Sequence, residues 1–223
     1  MLCACLLSCT AGSRASNRET PVIVIDPGHP SEVSSGAEIQ NGTTEVHVAW
    51  DVAGRLARLL RARGYQVVMT KASETQLVRN VTRAEIGNRA KAALMVRLHC
   101  DASSDSGYAL YYPDRQGTAE GKTGPSTDVM RRSAVAADSL HSGIAARLAG
   151  QLKDGGVRGD SKTFVGSRQG ALTGSIFSEI PVVLIEMVTL SNKHDAEFIK
   201  RDDGKNLMAR AIADGVGRFV RPN

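Results

Sequence analysis

From Pro21 onward, short apolar runs alternate with stripes of apolar residues at helical spacing. Val22-Ile23-Val24-Ile25 is a β-branched run that predicts a strand buried on both faces. Asp26-Pro27-Gly28-His29-Pro30 should stop it, and a loop rich in Ser and Gly follows to Gly42. Thr43 or Thr44 can cap a helix whose Val48, Val52, Leu56, Leu59 and Leu60 share one stripe. Gly64 closes that helix. Tyr65 to Thr70 reads as a strand, Val81 to Ala92 as a helix, Leu94 to Leu98 as a third strand and Gly107 to Tyr112 as a fourth. The stretch 114–137 is poorly patterned and reads as a surface insertion with room for one short helix. Leu140, Ile144, Leu148 and Leu152 mark an amphipathic helix, Ile180 to Ile185 the last buried strand, and Met208, Ile212, Val216 and Phe219 a closing helix. This alternation predicts a single α/β domain over 21–220. Its central sheet should be mostly parallel within a mixed arrangement, of about six strands, with helices on both faces.

Composition narrows the function. At 223 residues, 42% apolar and 23% charged, the chain can bury a core without disulfide staples. Its 28 basic and 23 acidic residues leave a mild +5, scattered along the chain. With four Phe, four Tyr and one Trp, it lacks the aromatics that a base-stacking nucleic-acid binder uses, so no nucleic-acid partner is expected. No apolar run approaches the ~20 residues of a membrane span. Cys3, Cys5 and Cys9 crowd the first nine residues and form neither a disulfide framework nor a zinc ribbon. The opening MLCACLLSC, followed by a polar stretch to Thr20, resembles the end of a bacterial lipoprotein signal. Residues 1–20 therefore read as a signal-like, lipobox-like segment and linker, with Cys9 as the acylated residue and membrane anchor.

In open sheets of this kind, sites gather at the carboxyl ends of strands. The first strand runs into His29, the third into His99 and the last into Glu186. Two histidines at the ends of separate strands of one sheet can converge on one ion, and a catalytic zinc uses three protein ligands with one open position. Glu32, Glu38, Glu45, His47 and Asp101 are all candidates for the third ligand. Among them, Glu45 falls in the first turn of a helix, where the dipole favours a carboxylate. Each histidine also has a plainer reading as a capping or hydrogen-bonding group. Glu186 emerges from four apolar residues, so desolvation should raise its pKa towards that of a general base. Strand alternation points Cys100 away from His99, as a small buried residue. His47 should face elsewhere on its helix, and His141 and His194 belong to no constellation.

Val22 to Pro30, Glu45, Val96 to Asp101 and Ile180 to Asn192 together resemble the zinc-dependent N-acetylmuramoyl-L-alanine amidases of bacterial cell-wall remodelling. The resemblance runs in order from about Pro21 to Phe219. It implies that His29, Glu45 and His99 hold Zn2+ and that Glu186 is the catalytic carboxylate. It also implies hydrolysis of the amide between muramic acid and L-alanine in peptidoglycan, with a zinc-bound water as nucleophile. The workplace would be extracytoplasmic, in the periplasm or cell envelope. A zinc peptidase cutting within the stem peptide and a non-catalytic wall-binding relative are the alternatives. Some members carry, near 114–137, an inserted helix that a partner withdraws, which raises an activator protein as a further partner and makes this segment a candidate flap. The chain departs from the usual pattern at Arg97 and Cys100, where Ser and Ala are more common beside the second histidine.

Overall fold

The β-branched and Leu-rich runs pair into one sheet, seen in a computed structural model that describes residues 19–222. Six strands lie in the order β2-β1-β3-β8-β4-β7. They are β1 (Val22–Pro27), β2 (Gln66–Met69), β3 (Leu94–Asp101), β4 (Tyr108–Tyr112), β7 (Asp154–Gly159) and β8 (Val182–Thr189). Pairing is parallel except between β4 and β8, so the sheet is mixed. Helices α1 (Glu45–Ala62), α3 (Thr127–Leu148) and α7 (Asp202–Phe219) lie on one face. Helix α2 (Asn80–Arg89) and the single turns α4 (Gly166–Gln169) and α5 (Thr173–Ile176) lie towards the other, and α6 (Lys193–Lys200) follows β8.

The two faces of the sheet differ in character. On the α1/α3/α7 side, Ile23, Ile25, Leu94, Val96, Leu98, Val183 and Ile185 are buried and join one large apolar cluster. Alternation turns the intervening residues to the opposite side. There the register aligns them in successive rungs. Val24, Met95 and Val182 form an apolar rung, Asp26, Arg97 and Leu184 a partly charged one, and His99 pairs with Glu186 in the next. The fold is therefore held mainly on one face while polar chemistry accumulates on the other.

The stretch 114–137 corrects the expectation of a surface insertion. Only its first part is peripheral, a hairpin of β5 (Gly117–Ala119) and β6 (Lys122–Gly124). Ser126 then caps α3, accepting the Val129 N–H at 3.3 Å, so the helix starts well before Leu140. Its first half is buried through Val129, Ser133, Ala136 and Ala137. Small residues pack as tightly as large ones there but leave little hydrophobic period to read. Residues 127–137 are thus core helix and not a flap, while Leu152 lies beyond the helix end. Strand β7, with the sequence DGGVRG, was not foreseen because it carries one apolar residue.

Candidate metal and catalytic centre

His29 follows β1 with φ +51°, a left-handed conformation that is uncommon outside glycine. The Lys71 ammonium accepts no hydrogen bonds and donates to the His29 carbonyl, to the Gly28 carbonyl at 3.3 Å and to that of Glu74 at 2.9 Å, holding this turn from below. The His29 ring places Nδ1 3.0 Å from the Ser34 carbonyl, a contact that uses Nδ1–H as donor and leaves Nε2 as the basic nitrogen. Gly36, at φ +64°, lets the chain pass over that ring: a Cβ there would lie 2.6 Å from His29 Cβ.

Glu45 opens α1 directly after its N-cap Thr44, which accepts the His47 N–H. Its Oε2 lies 3.1 Å from His29 Nε2 and its Oε1 2.8 Å from His99 Nδ1. Oε1 also accepts the Cys100 N–H at 3.2 Å. The two imidazoles meet edge to face with centroids 5.0 Å apart. A Cβ on Gly28 would fall 2.5 Å from the His99 ring, so glycine is required for that ring to sit where it does.

One ligand atom from each of His29, Glu45 and His99 falls within 4.8 Å of the others. Two polar atoms at this place are buried without a partner: His99 Nε2 and Glu186 Oε2. Burial of such atoms is costly unless something satisfies them. Two imidazoles, a carboxylate and an unsatisfied buried nitrogen fit a divalent cation of the zinc type. Burial lowers the His99 imidazole despite its bond to Glu45, which favours the neutral, ligating form. At His29 burial also acts downward, but the hydrogen bond and charge of Glu45 raise it overall. Burial would raise the Glu45 carboxyl, yet both imidazoles hold it well below the carboxylate range. Glu186, one strand away from His99 in direct register, is driven the opposite way. Burial pushes its carboxyl well up, and the nearby charges of Glu45 and Asp101 push further.

The other candidates lie elsewhere. Glu32 accepts the Asn80 N–H at 2.9 Å at the start of α2. Glu38 is exposed, and His47 faces Glu74 at 3.3 Å. Asp101 accepts the Ala102 N–H at 2.7 Å and the Ser103 hydroxyl at 2.6 Å. His141 pairs with Asp154 at 2.9 Å, and His194 is largely exposed beside Asp195. Cys100 is buried in the apolar cluster, where desolvation pushes its thiol up. Cys3, Cys5 and Cys9 lie outside the described residues.

A buried charge network beneath the site was missed from the sequence. Asp26 accepts from Thr70 Oγ1 at 2.5 Å, Arg83 Nη1 at 2.6 Å and Arg97 Nε at 2.8 Å. Burial would raise its carboxyl, but the two guanidiniums and the hydroxyl hold it far below the usual range. Lys71 is brought down to about 8, by burial and then by the Arg83 charge. The available signal was an ionisable residue at position 26 following an apolar β-branched run, the same signal that singled out Glu186.

Beside His99 and Glu186, a pocket of about 240 Å³ extends over Arg97 and Leu184. Ser31 and Val33 wall it on one side and Thr163 to Val165 with Leu172 and Thr173 on the other. The β5–β6 hairpin backs this second wall, since Gly117 packs against the backbone of Gln169 and Ala171.

Comparison with known proteins places this fold in a family. The N-acetylmuramoyl-L-alanine amidase family model matches residues 23–218. The chain is 30% identical over 204 residues to N-acetylmuramoyl-L-alanine amidase LytC of Bacillus subtilis, covering 89% of this chain and 35% of that one. It is 24% identical to N-acetylmuramoyl-L-alanine amidase AmiC of Neisseria meningitidis, covering 93% of this chain and 54% of that one. The chain thus spans about a third to a half of these relatives' length. The catalytic domain of CwlV, an amidase from Bacillus (Paenibacillus) polymyxa, superposes with a TM-score of 0.72 over 92% of this chain and all of that domain, at 21% identity. Likeness at that identity establishes the fold. With the family model covering nearly all of the sheet and its helices, the chain belongs to the N-acetylmuramoyl-L-alanine amidase family.

Proposed function

We propose that this chain hydrolyses the amide bond joining N-acetylmuramic acid to L-alanine in peptidoglycan, with His29, Glu45 and His99 holding Zn2+ and Glu186 moving the proton. The observation that carries this reading is the His29–Glu45–His99 cluster with Glu186 one strand away in direct register with His99. When bound, zinc supplies a Lewis acid for the amide carbonyl and a water of lowered pKa. The residues then divide the work. Glu45 orients both imidazoles, since each of its oxygens touches one ring. Glu186 accepts the proton of the attacking water at Oε2 and returns it to the departing L-alanine amine. Burial raises the Glu186 carboxyl above the ordinary carboxylate range, which makes it a stronger proton acceptor than an exposed glutamate. The pocket beside His99 and Glu186 receives one flank of the scissile bond.

This activity places the chain outside the cytoplasmic membrane, in the periplasm or cell envelope, with Cys9 as its lipid anchor. No helix among the described residues is long and apolar enough to cross a membrane. The +5 charge assists approach to an anionic polymer.

Digestion of purified peptidoglycan, followed by mass analysis, tests the reading. Free stem peptides beginning with L-alanine, beside peptide-free glycan, are expected. Fragments cut inside the stem would make it a peptidase instead. Glu186→Ala should retain zinc while turnover falls by 10²-fold or more. Full activity in that variant would remove Glu186 from the mechanism.

A further inference from the structure

Two arginines meet at Asp26, and they are employed differently. Arg83 is 1% exposed and spends its donors on the protein. Its Nε donates to Val78 O, its Nη1 to Asp26 and Pro27 O, and its Nη2 to Pro30 O. Arg97 is held by two bonds, Nε to Asp26 at 2.8 Å and Nη2 to Asn80 Oδ1 at 2.6 Å. Its Nη1 lies against the α-carbon of Gly174, where a Cβ would come within 2.6 Å. That Nη1 makes no hydrogen bond to the described residues, and Arg97 lines the pocket with Leu184. A guanidinium whose Nε and Nη2 are already held, and whose Nη1 has no acceptor, offers a preorganised charged donor to a carboxylate entering the pocket. The only ion pair of Arg97 among the described residues is with Asp26, which Arg83 shares, while its charge also reaches the buried carboxyls of Asp160 and Glu186.

We propose that Arg97 binds a free carboxylate of the substrate, two residues along the stem peptide from the bond that is cut. The inference rests on the amidase reading, and spacing then selects the carboxylate. Arg97 and His99 are two residues apart on β3 and face the same side, which separates their rungs by about 6.6 Å. In the stem peptide, six bonds run from the lactyl carbonyl carbon through alanine to the α-carboxyl carbon of the next residue, a γ-linked D-glutamate. Six backbone bonds are two residues, which span about 7 Å when extended. A stem lying along β3 with its scissile carbonyl at His99 therefore brings that carboxylate to Arg97. In some cell walls this carboxylate is converted to a neutral amide, so the contact selects between two wall chemistries. The amide oxygen is a neutral acceptor for this charged donor and brings an N–H pair towards it, where the carboxylate accepts with a full negative charge.

The test compares two muramoyl tripeptides that differ only here, L-Ala-γ-D-Glu-L-Lys and L-Ala-D-isoGln-L-Lys, with the zinc-loaded protein. Hydrolysis of the free carboxylate form should be favoured by about 10- to 100-fold in kcat/KM, chiefly through KM. Arg97→Lys should keep part of the preference and Arg97→Gln should bring the ratio close to one, with zinc content unchanged. Because Arg97 also holds Asp26, thermal unfolding of each variant is measured alongside. If Arg97→Gln does not fold, the wild-type ratio and Arg97→Lys decide. Equal rates on both substrates would overturn the role of Arg97 and leave the amidase reading standing. A preference that persists in a folded Arg97→Gln would do the same. Hydrolysis of neither substrate by the zinc-loaded protein would overturn the amidase reading, and this inference with it.

Discussion

Asp160 lies behind the pocket wall, fully buried, with Oδ2 accepting the Leu172 N–H at 3.2 Å and Oδ1 unpartnered. Burial raises its carboxyl from 3.8 to about 6, against the hydrogen bonds and the Arg97 charge that act the other way. A raised folded-state pKa stabilises the fold fully below 3.8, and that contribution disappears as the pH rises through about 6. Asp160→Asn removes the cost of ionising this site. It should unfold at higher temperature than the parent at pH 8, by an effect of up to about 3 kcal/mol, with the advantage vanishing near pH 4. Thermal denaturation at the two pH values checks this, and a pH-independent difference would contradict it. Gly36→Ala probes the ring placement instead. A φ of +64° and a contact of 2.6 Å with His29 both oppose a methyl group, so zinc affinity should fall at least tenfold by competition with a chelator. Single residues were legible where an apolar run ended in an ionisable group, which is how His29, His99 and Glu186 were found. Glu45 could not be separated from Glu32, Glu38, His47 or Asp101 by spacing, because the path of the 30–44 loop decides which one returns to the strand ends.

Helices α3 and α7 cross glycine to glycine. A Cβ on Gly143 would lie 2.3 Å from Gly215 N, and one on Gly215 would lie 2.6 Å from Leu140 Cα. Such contacts are with backbone, so neither can be relieved by turning a side chain. Gly143→Ala or Gly215→Ala should therefore destabilise the fold by about 1–3 kcal/mol despite the better helix propensity of alanine. Chemical denaturation measures the loss, and an unchanged midpoint would show that the helices can separate freely. The same closeness explains what was hard to read. α1 was legible because it buries Val48, Val52, Leu56 and Leu60, while the first half of α3 buries alanine and serine. Strands β3 and β8 continue past their apolar runs to Asp101 and Thr189, so His99 and Glu186 lie within the ladder and not at its end. Ladder hydrogen bonds depend on backbone alone and need no apolar side chain to extend.

For the molecule as a whole, the reactive residues are supported by contacts that do not depend on the ion. Glu45 already joins His29 to His99, and the main apolar cluster lies on the other face of the sheet. Exhaustive chelation should therefore abolish amide hydrolysis while far-ultraviolet circular dichroism stays unchanged, and added Zn2+ should restore turnover. Loss of secondary structure on chelation would mean that the ion is needed to build the fold. Overall architecture was the most legible level, since alternating strand and helix patterns constrain the sheet strongly. What escaped was the antiparallel insertion of β4 beside β8, set by tertiary packing and not by any period within β4.

The division of the sheet into two unlike faces has an evolutionary consequence. Substitutions at Leu184 or Thr173 can reshape the pocket without disturbing the apolar layer that decides whether the chain folds. Selection for a different ligand can then proceed by small steps, each leaving a foldable protein. The frame that excludes water on one side makes the other side free to diversify.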